Sequence, residues 1–159
     1  MRVGFGLGSN IGDKPANIRQ ALRLLEERGI ARLEAVSRVY RTPPWGVLDQ
    51  GDFANACAIG RTSLNAYQLL AAVKGIEADM GREPSRRWGP RLIDVDILFL
   101  DGCTLDDPEL TLPHKELFGR AFVMLPLLEI APDLVLDGQS VAEAAKDVDV
   151  EGLRPWDDA

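Results

Sequence analysis

Apolar residues change their spacing along the chain, and each spacing predicts a type of element. Residues 3–7 alternate between apolar side chains and glycine, which indicates a short strand with one bare face that another element or a ligand can approach closely. Apolar residues then recur at helical spacing between positions 18 and 25. Asp13 is suited to begin this helix, and Gly29 to end it.

The central part of the chain predicts a hairpin. Residues 31–41 partly alternate and form a predicted strand, and residues 53–59 are apolar enough for a buried one. Residues 45–52 contain two glycines and few core side chains, so they form a loop between the two strands.

A second helix and a further strand follow. Either Ser63 or Asn65 can cap the helix, which has an apolar stripe and ends at Gly81. Residues 92–100 have high strand propensity although two aspartates interrupt them.

The last third of the chain is mixed. Residues 121–130 predict a helix that Pro126 kinks or restarts. Ser140 and Glu143 form a capping-box pattern that begins a short last helix. Apart from this capping box, the chain after Asp137 matches no firm pattern, and the Asp-rich end is interpreted as a solvated segment.

This order of elements predicts the fold class. A strand, a helix, two strands, a helix and a strand are the order of an α+β, ferredoxin-like α/β sandwich, with helices packed on one face of a mainly antiparallel sheet. We expect residues 1–159 to form a single domain.

Composition narrows the class of protein. With a net charge of −7, the chain does not suit a partner bound by broad phosphate neutralisation, so we expect no nucleic-acid partner. The first residues lack the apolar stretch of a signal peptide, and no run approaches the roughly 18 apolar residues of a membrane span. Cys57 and Cys103 have neither metal-site nor disulfide spacing. We therefore expect a cytoplasmic protein with no membrane partner.

The first candidate for chemistry is the pair Asp94 and Asp96. Side chains two residues apart on a strand share a face, about 7 Å apart, so both carboxylates point the same way. Two neighbouring carboxylates need a cation to offset them, and Mg²⁺ takes one or two carboxylates together with phosphate oxygens. A solvated strand face, or pairing with nearby arginines, remains the alternative.

The second candidate is the basic segment 82–91, in which four arginines surround Trp88. Arginine suits phosphate oxygens, and an indole face suits a flat heterocycle. The alternative is a solvated basic loop that pairs with the excess acidic groups of the protein.

The third candidate combines the sequence Thr42-Pro43-Pro44-Trp45 with Phe53 and Asn55. An Asn amide offers a donor and an acceptor to a ring edge, and aromatic side chains can stack on the ring. The alternative is a proline-stiffened turn with an Asn that bonds the backbone.

Two single residues complete the candidates. His114 is the sole histidine, and Glu77 lies near the apolar side of the second helix. Either can instead be structural. The glycines of residues 6–12 do not have the spacing of a dinucleotide fingerprint or of a phosphate-binding P-loop, so bound ATP would need another kind of site.

Taken together, these segments resemble the family of 6-hydroxymethyl-7,8-dihydropterin pyrophosphokinases. The matching stretches are Gly8-Ser9-Asn10, Tyr40-Arg41-Thr42-Pro43-Pro44, Phe53-Ala54-Asn55-Ala56, Ile76-Glu77, Gly81-Arg82, Arg87-Trp88-Gly89-Pro90-Arg91, Asp94-Val95-Asp96-Ile97, Pro113-His114 and Arg120-Ala121-Phe122. The resemblance as a whole covers residue 3 to about Asp133, and the block from Arg87 to Asp96 is its most specific part.

The resemblance implies transfer of the β,γ-pyrophosphoryl group of ATP to the hydroxymethyl group of the pterin, with release of AMP, in folate biosynthesis. It implies two Mg²⁺ ions on Asp94 and Asp96, and a monomer that acts on ATP and the pterin. The implied catalytic residues are Asp94, Asp96, Arg82 and Arg91. The implied ATP-binding residues are Leu70, Glu77, Arg91, Ile97, Thr111, His114 and Arg120. The implied pterin-binding residues are Thr42, Pro43, Trp45, Phe53, Asn55, Trp88 and Phe122.

The sequence also departs from the family pattern at Lys74, Lys115 and Trp45, which affects the details of the pockets rather than the class of reaction. A rival hypothesis is a ferredoxin-like module that binds a nucleotide without turnover. It predicts ATP binding that is independent of a pterin and no release of AMP.

Overall fold

The computed structural model describes residues 1–43, 52–81, 92–150 and 152–156. Its strands are β1 (Arg2–Ser9), β2 (Arg32–Val36), β3 (Tyr40–Thr42), β4 (Phe53–Arg61), β5 (Asp94–Leu100), β6 (Leu105–Asp106), β7 (Thr111–Leu112), β8 (Val135–Leu136), β9 (Gln139–Ser140) and β10 (Arg154–Pro155). Its helices are α1 (Lys14–Glu27), α2 (Ala66–Gly81), α3 (Ala121–Ile130) and α4 (Val141–Ala145), with a short 3-10 helix at Leu117–Gly119.

The described strands form one six-stranded antiparallel sheet and two small hairpins. The order across the large sheet is β10-β3-β4-β1-β5, and β2 pairs with the same edge of β4 as β3 does. The first strand of the chain therefore lies between β4 and β5. This arrangement confirms the predicted α+β fold with helices packed on a mainly antiparallel sheet.

The sheet has a hydrophobic core on each face. Val3, Phe5 and Leu7 pack on one face in a cluster that includes the apolar stripes of α1 and α2. Leu98 and Phe99 belong to a second cluster, with residues of α3 and α4. The sequence analysis expected helices on one face only, and α3 adds a layer to the other. Helix α3 is apolar nearly all round, as expected for a helix buried within the protein.

Local signals begin the helices as the sequence predicts. Asp13 accepts the backbone N–H of Ala16 at the start of α1. Asn65, one of two predicted caps, exchanges hydrogen bonds of 2.9 Å with Gln68 at the start of α2. Ser140 accepts the backbone N–H of Glu143 at the start of α4. Each cap satisfies a backbone donor that has no partner within its helix.

Two predicted elements differ in detail. The strand expected at 31–41 is divided between β2 and β3, and residues 37–39 belong to neither strand. The Ser37 hydroxyl in this gap accepts the backbone N–H of Cys57 at 2.9 Å. Helix α3 continues through Pro126, so no new turn begins there. Among the described residues, no helix is long and apolar enough to cross a membrane.

Candidate active site

A cavity of about 970 Å³ opens on the face of the sheet that carries α3. Its walls come from β1, β3, β4 and β5, from the start of α3, and from residues after α4. The described residues that line it include Gly6, Gly8, Thr42, Pro43, Phe53, Asn55, Asp94, Asp96, Arg120 and Phe122. Candidates from distant parts of the sequence therefore share one space.

Asp94 and Asp96 lie at the start of β5, with the buried Val95 between them on the opposite face. In the antiparallel pairing with β1, Asp94 is opposite Gly8 and Asp96 is opposite Gly6. Neither glycine places a side chain beside the carboxylates, so the space above them stays open to a ligand.

Glu77 joins helix α2 to this end of β5. Its Oε2 accepts the backbone N–H of Val95 at 2.8 Å, and its Oε1 lies 3.3 Å from Lys74 Nζ. The side chain of Glu77 is only 17% exposed. It therefore holds the strand that carries the two aspartates and does not line the cavity itself.

Asn55 and Thr42 form a polar pair in the cavity wall. Asn55 Nδ2 donates to Thr42 Oγ1 at 2.7 Å, and the same hydroxyl donates weakly to the Phe53 carbonyl at 3.5 Å. Asn55 is nearly buried, and a Cβ on Gly8 would lie 3.1 Å from its Oδ1. Its amide is thus held with the oxygen toward β1, and its second N–H remains available for a ligand.

Two aromatic side chains and one cation complete the described part of the cavity. Phe53 at the start of β4 and Phe122 at the start of α3 both line it. Arg120 forms an ion pair with Glu116, and its guanidinium lies 5.5 Å from the Phe122 ring centre. A flat apolar ligand and an anion therefore both find suitable partners here.

His114 lies beside β5, where its backbone N–H donates to the Leu98 carbonyl at 2.8 Å. Burial lowers the pKa of His114, and the charges of Arg120 and Lys115 act in the same direction, whereas Asp96 raises it. Its Nδ1 accepts the backbone N–H of Glu116 at 3.2 Å. The neutral ring therefore carries its proton on Nε2, as a donor.

Five of the implied ATP residues do not line the cavity: Glu77 and His114, described above, and Leu70, Ile97 and Thr111. Ile97 is 3% exposed in the core on the α2 side, because alternation along β5 turns it away from the face of Asp96. Leu70 packs against that same core, and Thr111 pairs with Asp106 in the hairpin of β6 and β7. Arg82, Arg91, Trp45 and Trp88 lie outside the described residues.

The sequence analysis missed several residues of the cavity. Six of the missed residues lie after Asp137, where the capping box is the one predicted feature. They are Gln139, Ala144, Asp147, Val148, Asp149 and Leu153. The spacing of Ala144 and Val148, four residues apart after a capping box, is the one available signal. Cys57 also lines the cavity, but burial raises the pKa of its thiol, which makes it an inert core group.

The donor set at Asp94 and Asp96 suits Mg²⁺. No group of three or more His, Cys, Asp or Glu side chains that could hold a metal occurs in the part of the chain that the structure describes. Magnesium does not need such a group, because it binds through one or two carboxylates and completes its shell with phosphate oxygens and water. The two aspartates therefore fit Mg²⁺ that arrives with a polyphosphate.

Residues 4–132 match the family described as 7,8-dihydro-6-hydroxymethylpterin-pyrophosphokinase (HPPK). A 2-amino-4-hydroxy-6-hydroxymethyldihydropteridine pyrophosphokinase of Methylorubrum extorquens is 47% identical over 152 residues, which are 96% of this chain and 96% of the relative. The enzyme of the same description from Bacillus subtilis is 38% identical, over 96% of this chain and 88% of the relative.

The fold is similar to that of a Plasmodium falciparum HPPK-DHPS whose crystal structure contains pteroate. The TM-score is 0.72 at 15% sequence identity, with 91% of this chain covered. The chain spans only 42% of that longer protein. At this identity the likeness concerns the fold alone.

Proposed function

Because the chain belongs to the 7,8-dihydro-6-hydroxymethylpterin-pyrophosphokinase family, we propose that its cavity binds the pterin beside the polyphosphate of ATP. The protein is an ATP-dependent diphosphokinase. It transfers a pyrophosphoryl group to 6-hydroxymethyl-7,8-dihydropterin in folate biosynthesis. The proposal concerns which residues perform each part of this transfer.

The observation that carries the proposal is the single cavity that Asp94, Asp96, Asn55 and Phe122 line together. Transfer of a pyrophosphoryl group requires the acceptor hydroxyl to lie next to the β-phosphorus of ATP. One end of this cavity suits a charged polyphosphate and the other suits a flat ring, so the two substrates would meet between them.

At the polyphosphate end, Asp94 and Asp96 would hold the two Mg²⁺ ions, which would supply positive charge to offset the charge of the phosphates during transfer. Asp96 also orients the hydroxymethyl group of the pterin. The hydroxymethyl oxygen forms a bond to the β-phosphorus, and the bond from that phosphorus to the oxygen that bridges it to the α-phosphorus breaks. AMP leaves with that bridging oxygen, and the hydroxyl proton passes to solvent. Arg82 and Arg91 supply further positive charge to the phosphates.

At the pterin end, Phe122 and Phe53 enclose the ring, with Trp45 and Trp88 as further aromatic partners. Asn55 reads the edge of the ring through its amide, which Thr42 holds in place. Pro43 closes the wall beside Thr42. In this arrangement, apolar side chains contact the faces of the pterin ring, and one oriented amide recognises its edge.

The nucleotide follows the outer edge of β5, which is the last strand of the large sheet. Arg120 and the Nε2 proton of His114 contact the phosphates. Leu70, Ile97 and Thr111 support the adenosine from the α2 side of β5, and Glu77 holds the strand between these two regions. This path explains why the three residues do not line the large cavity.

We also infer that the enzyme works as a single-domain monomer in the cytoplasm. Cys57 and Cys103 are both free, which suits a reducing compartment. One chain contributes both ends of the cavity, so catalysis requires no second subunit. Size-exclusion chromatography with light scattering measures the oligomeric state directly.

The experiment that tests the function follows AMP release from ATP and Mg²⁺, with and without 6-hydroxymethyl-7,8-dihydropterin. We expect AMP only when the pterin is present, in equal amount to the pyrophosphorylated product. ATP binding without pterin-dependent AMP would instead establish a nucleotide-binding module that lacks turnover.

A further inference from the structure

Residues 152–156 return to the edge of the sheet beside the candidate pterin site. Strand β10 pairs with β3, so that Arg154 lies opposite Arg41. The backbone N–H of Trp156 donates to the Val39 carbonyl at 2.8 Å. The sequence analysis interpreted this end of the chain as solvated, whereas the structure uses it as a strand.

Trp156 covers a cluster of charges on the α1 face of the sheet. The Arg41 guanidinium lies 3.9 Å from the centre of the Trp156 ring, and Lys14 Nζ lies 5.8 Å from it. Arg41 Nη1 also pairs with Asp52 Oδ2 at 3.2 Å, and Lys14 Nζ donates to the Asp52 carbonyl at 2.7 Å. The ring therefore lies over the cations that hold Asp52.

This cluster holds two residues, each of which directly precedes a residue in the wall of the candidate pterin site. Arg41 directly precedes Thr42, and Asp52 directly precedes Phe53. Thr42 and Phe53 are opposite each other in the pairing of β3 with β4, and both line the cavity. Alternation along β3 turns Arg41 to the other face from Thr42. Trp156 therefore contacts the face of β3 that points away from the cavity, and it does not line the cavity itself.

The residues before Trp156 approach the same wall from its rim. A Cβ on Gly152, which has φ +81°, would lie 3.1 Å from Pro43 Cγ, and Leu153 lines the cavity. A backbone this close to Pro43 leaves little room for the edge of β3 to move outward.

We propose that Trp156 is a positioning residue for the pterin, which holds Thr42 and Phe53 in register through its stack on Arg41. The inference rests on the proposed assignment of these residues to the pterin. A planar guanidinium between an aromatic face and a carboxylate is constrained in two directions. Loss of the ring frees Arg41, and through Asp52 it loosens both sides of the wall.

The test compares steady-state AMP formation by Trp156→Phe, Trp156→Leu and Trp156→Ala. Leucine restores apolar bulk without a π face, whereas phenylalanine restores the face. We expect Trp156→Leu and Trp156→Ala to raise the KM for the pterin about fivefold, with kcat and the KM for ATP unchanged within about twofold. Trp156→Phe should recover most of the wild-type KM.

A second pair of variants uses the cation. Arg41→Lys keeps the charge but loses the planar stack, so it should raise the pterin KM as Trp156→Leu does. Combining Arg41→Lys with Trp156→Leu should add little to either single change. Arg61→Lys is the matched control, because Arg61 pairs with Glu34 at 3.4 Å on an exposed part of β4 and has no ring partner among the described contacts.

The outcomes separate the two proposals. A folded Trp156→Leu enzyme with the wild-type KM for the pterin, or one in which leucine recovers as much as phenylalanine, would overturn the positioning role while leaving the proposed function intact. Wild-type protein that forms no pterin-dependent AMP would overturn the proposed function, and this inference with it.

Discussion

The Glu77 carboxylate accepts the backbone N–H of Val95 at 2.8 Å, at the residue that separates Asp94 from Asp96. A helix therefore holds a strand at the point where the strand presents its two acidic side chains. Residues that hold metal ligands in place affect metal affinity although they do not touch the ion. Glu77 belongs to this class in the proposed site.

We predict that Glu77→Ala lowers the apparent Mg²⁺ affinity in AMP formation about 10- to 100-fold, because β5 loses its hydrogen bond to α2. Glu77→Gln keeps an oxygen that accepts the Val95 N–H and should lose less. Titration of activity with Mg²⁺ gives the apparent affinity. Glu34→Ala, which removes an exposed carboxylate from β2, is the control, and equal affinities in both alanine variants would refute the role.

Removal of either proposed metal ligand should abolish catalysis without unfolding the protein. Asp94→Asn or Asp96→Asn keeps the shape of the side chain but removes a charge that offsets the metal, so we expect kcat to fall at least about a hundredfold. Quenched-flow or coupled measurement of AMP provides the rate, and thermal unfolding checks the fold. Asp106→Asn on β6 should retain full activity. Near-normal turnover in either aspartate variant would remove that residue from the metal site.

Gly4 in β1 lies against a buried aromatic ring, so a larger side chain at this position should destabilise the fold. A Cβ on Gly4 would lie 2.3 Å from Cε1 of the buried Phe99, so Gly4→Ala should lower the free energy of unfolding by about 1–3 kcal/mol. Adding Phe99→Leu, which shortens the opposing side chain, should reverse part of this loss. Urea denaturation measures both effects.

The matched control is Gly75→Ala in α2, where the new Cβ meets only Arg28 Nη1 at 3.8 Å. Alanine is the better helix residue by about 1 kcal/mol, so this variant should be more stable than the wild type. If Gly4→Ala were equally stabilised, the ring of Phe99 would not lie over Gly4.

The Glu129 carboxylate on α3 makes a pH-dependent contribution to the free energy of unfolding. Burial would raise the pKa of Glu129, but hydrogen bonds from Tyr40, from the Arg38 backbone N–H at 2.8 Å and from the Arg38 guanidinium at 3.0 Å outweigh it, so this pKa lies below its ordinary value. A lowered pKa means that the stabilisation is complete above about pH 4.3, the ordinary value for Glu, and is lost as the pH falls through the folded-state pKa.

Glu129→Gln should therefore be less stable than the wild type at pH 7, and the difference should shrink as the pH falls below about 4. Unfolding free energies at a series of pH values provide the comparison. Glu143→Gln is the control, because among the described residues the exposed Glu143 carboxylate pairs with exposed Lys146. A Glu129→Gln difference that is constant from pH 7 to about pH 3 would contradict the assignment.

Local signals predicted most of the fold. Asp13, Asn65 and Ser140 mark helix starts because a capping side chain bonds a backbone donor two or three residues away, which leaves a pattern in the sequence. The alternation through Asp94 and Asp96 was equally visible, since a strand turns every second side chain to the same face.

Other features depend on residues far apart in the chain. The stack of Trp156 on Arg41 joins positions that are distant in sequence, and no spacing rule connects a ring to a cation across a sheet. The break between β2 and β3 at Ser37 was hidden for the same reason, because the partner of Ser37 is Cys57 on another strand. The second helical layer also escaped prediction, since the apolar surface of α3 does not indicate which face of the sheet it covers.

The two cysteines differ in a way that gives the protein a natural attachment point for a reporter. Cys57 is only 1% exposed although it borders the cavity, whereas Cys103 is partly exposed just beyond the end of β5. Six residues of extended chain put that end about 20 Å from Asp94. A maleimide dye on the unaltered sequence would therefore react at Cys103 and place a fluorescent reporter at this end of β5, away from the two aspartates.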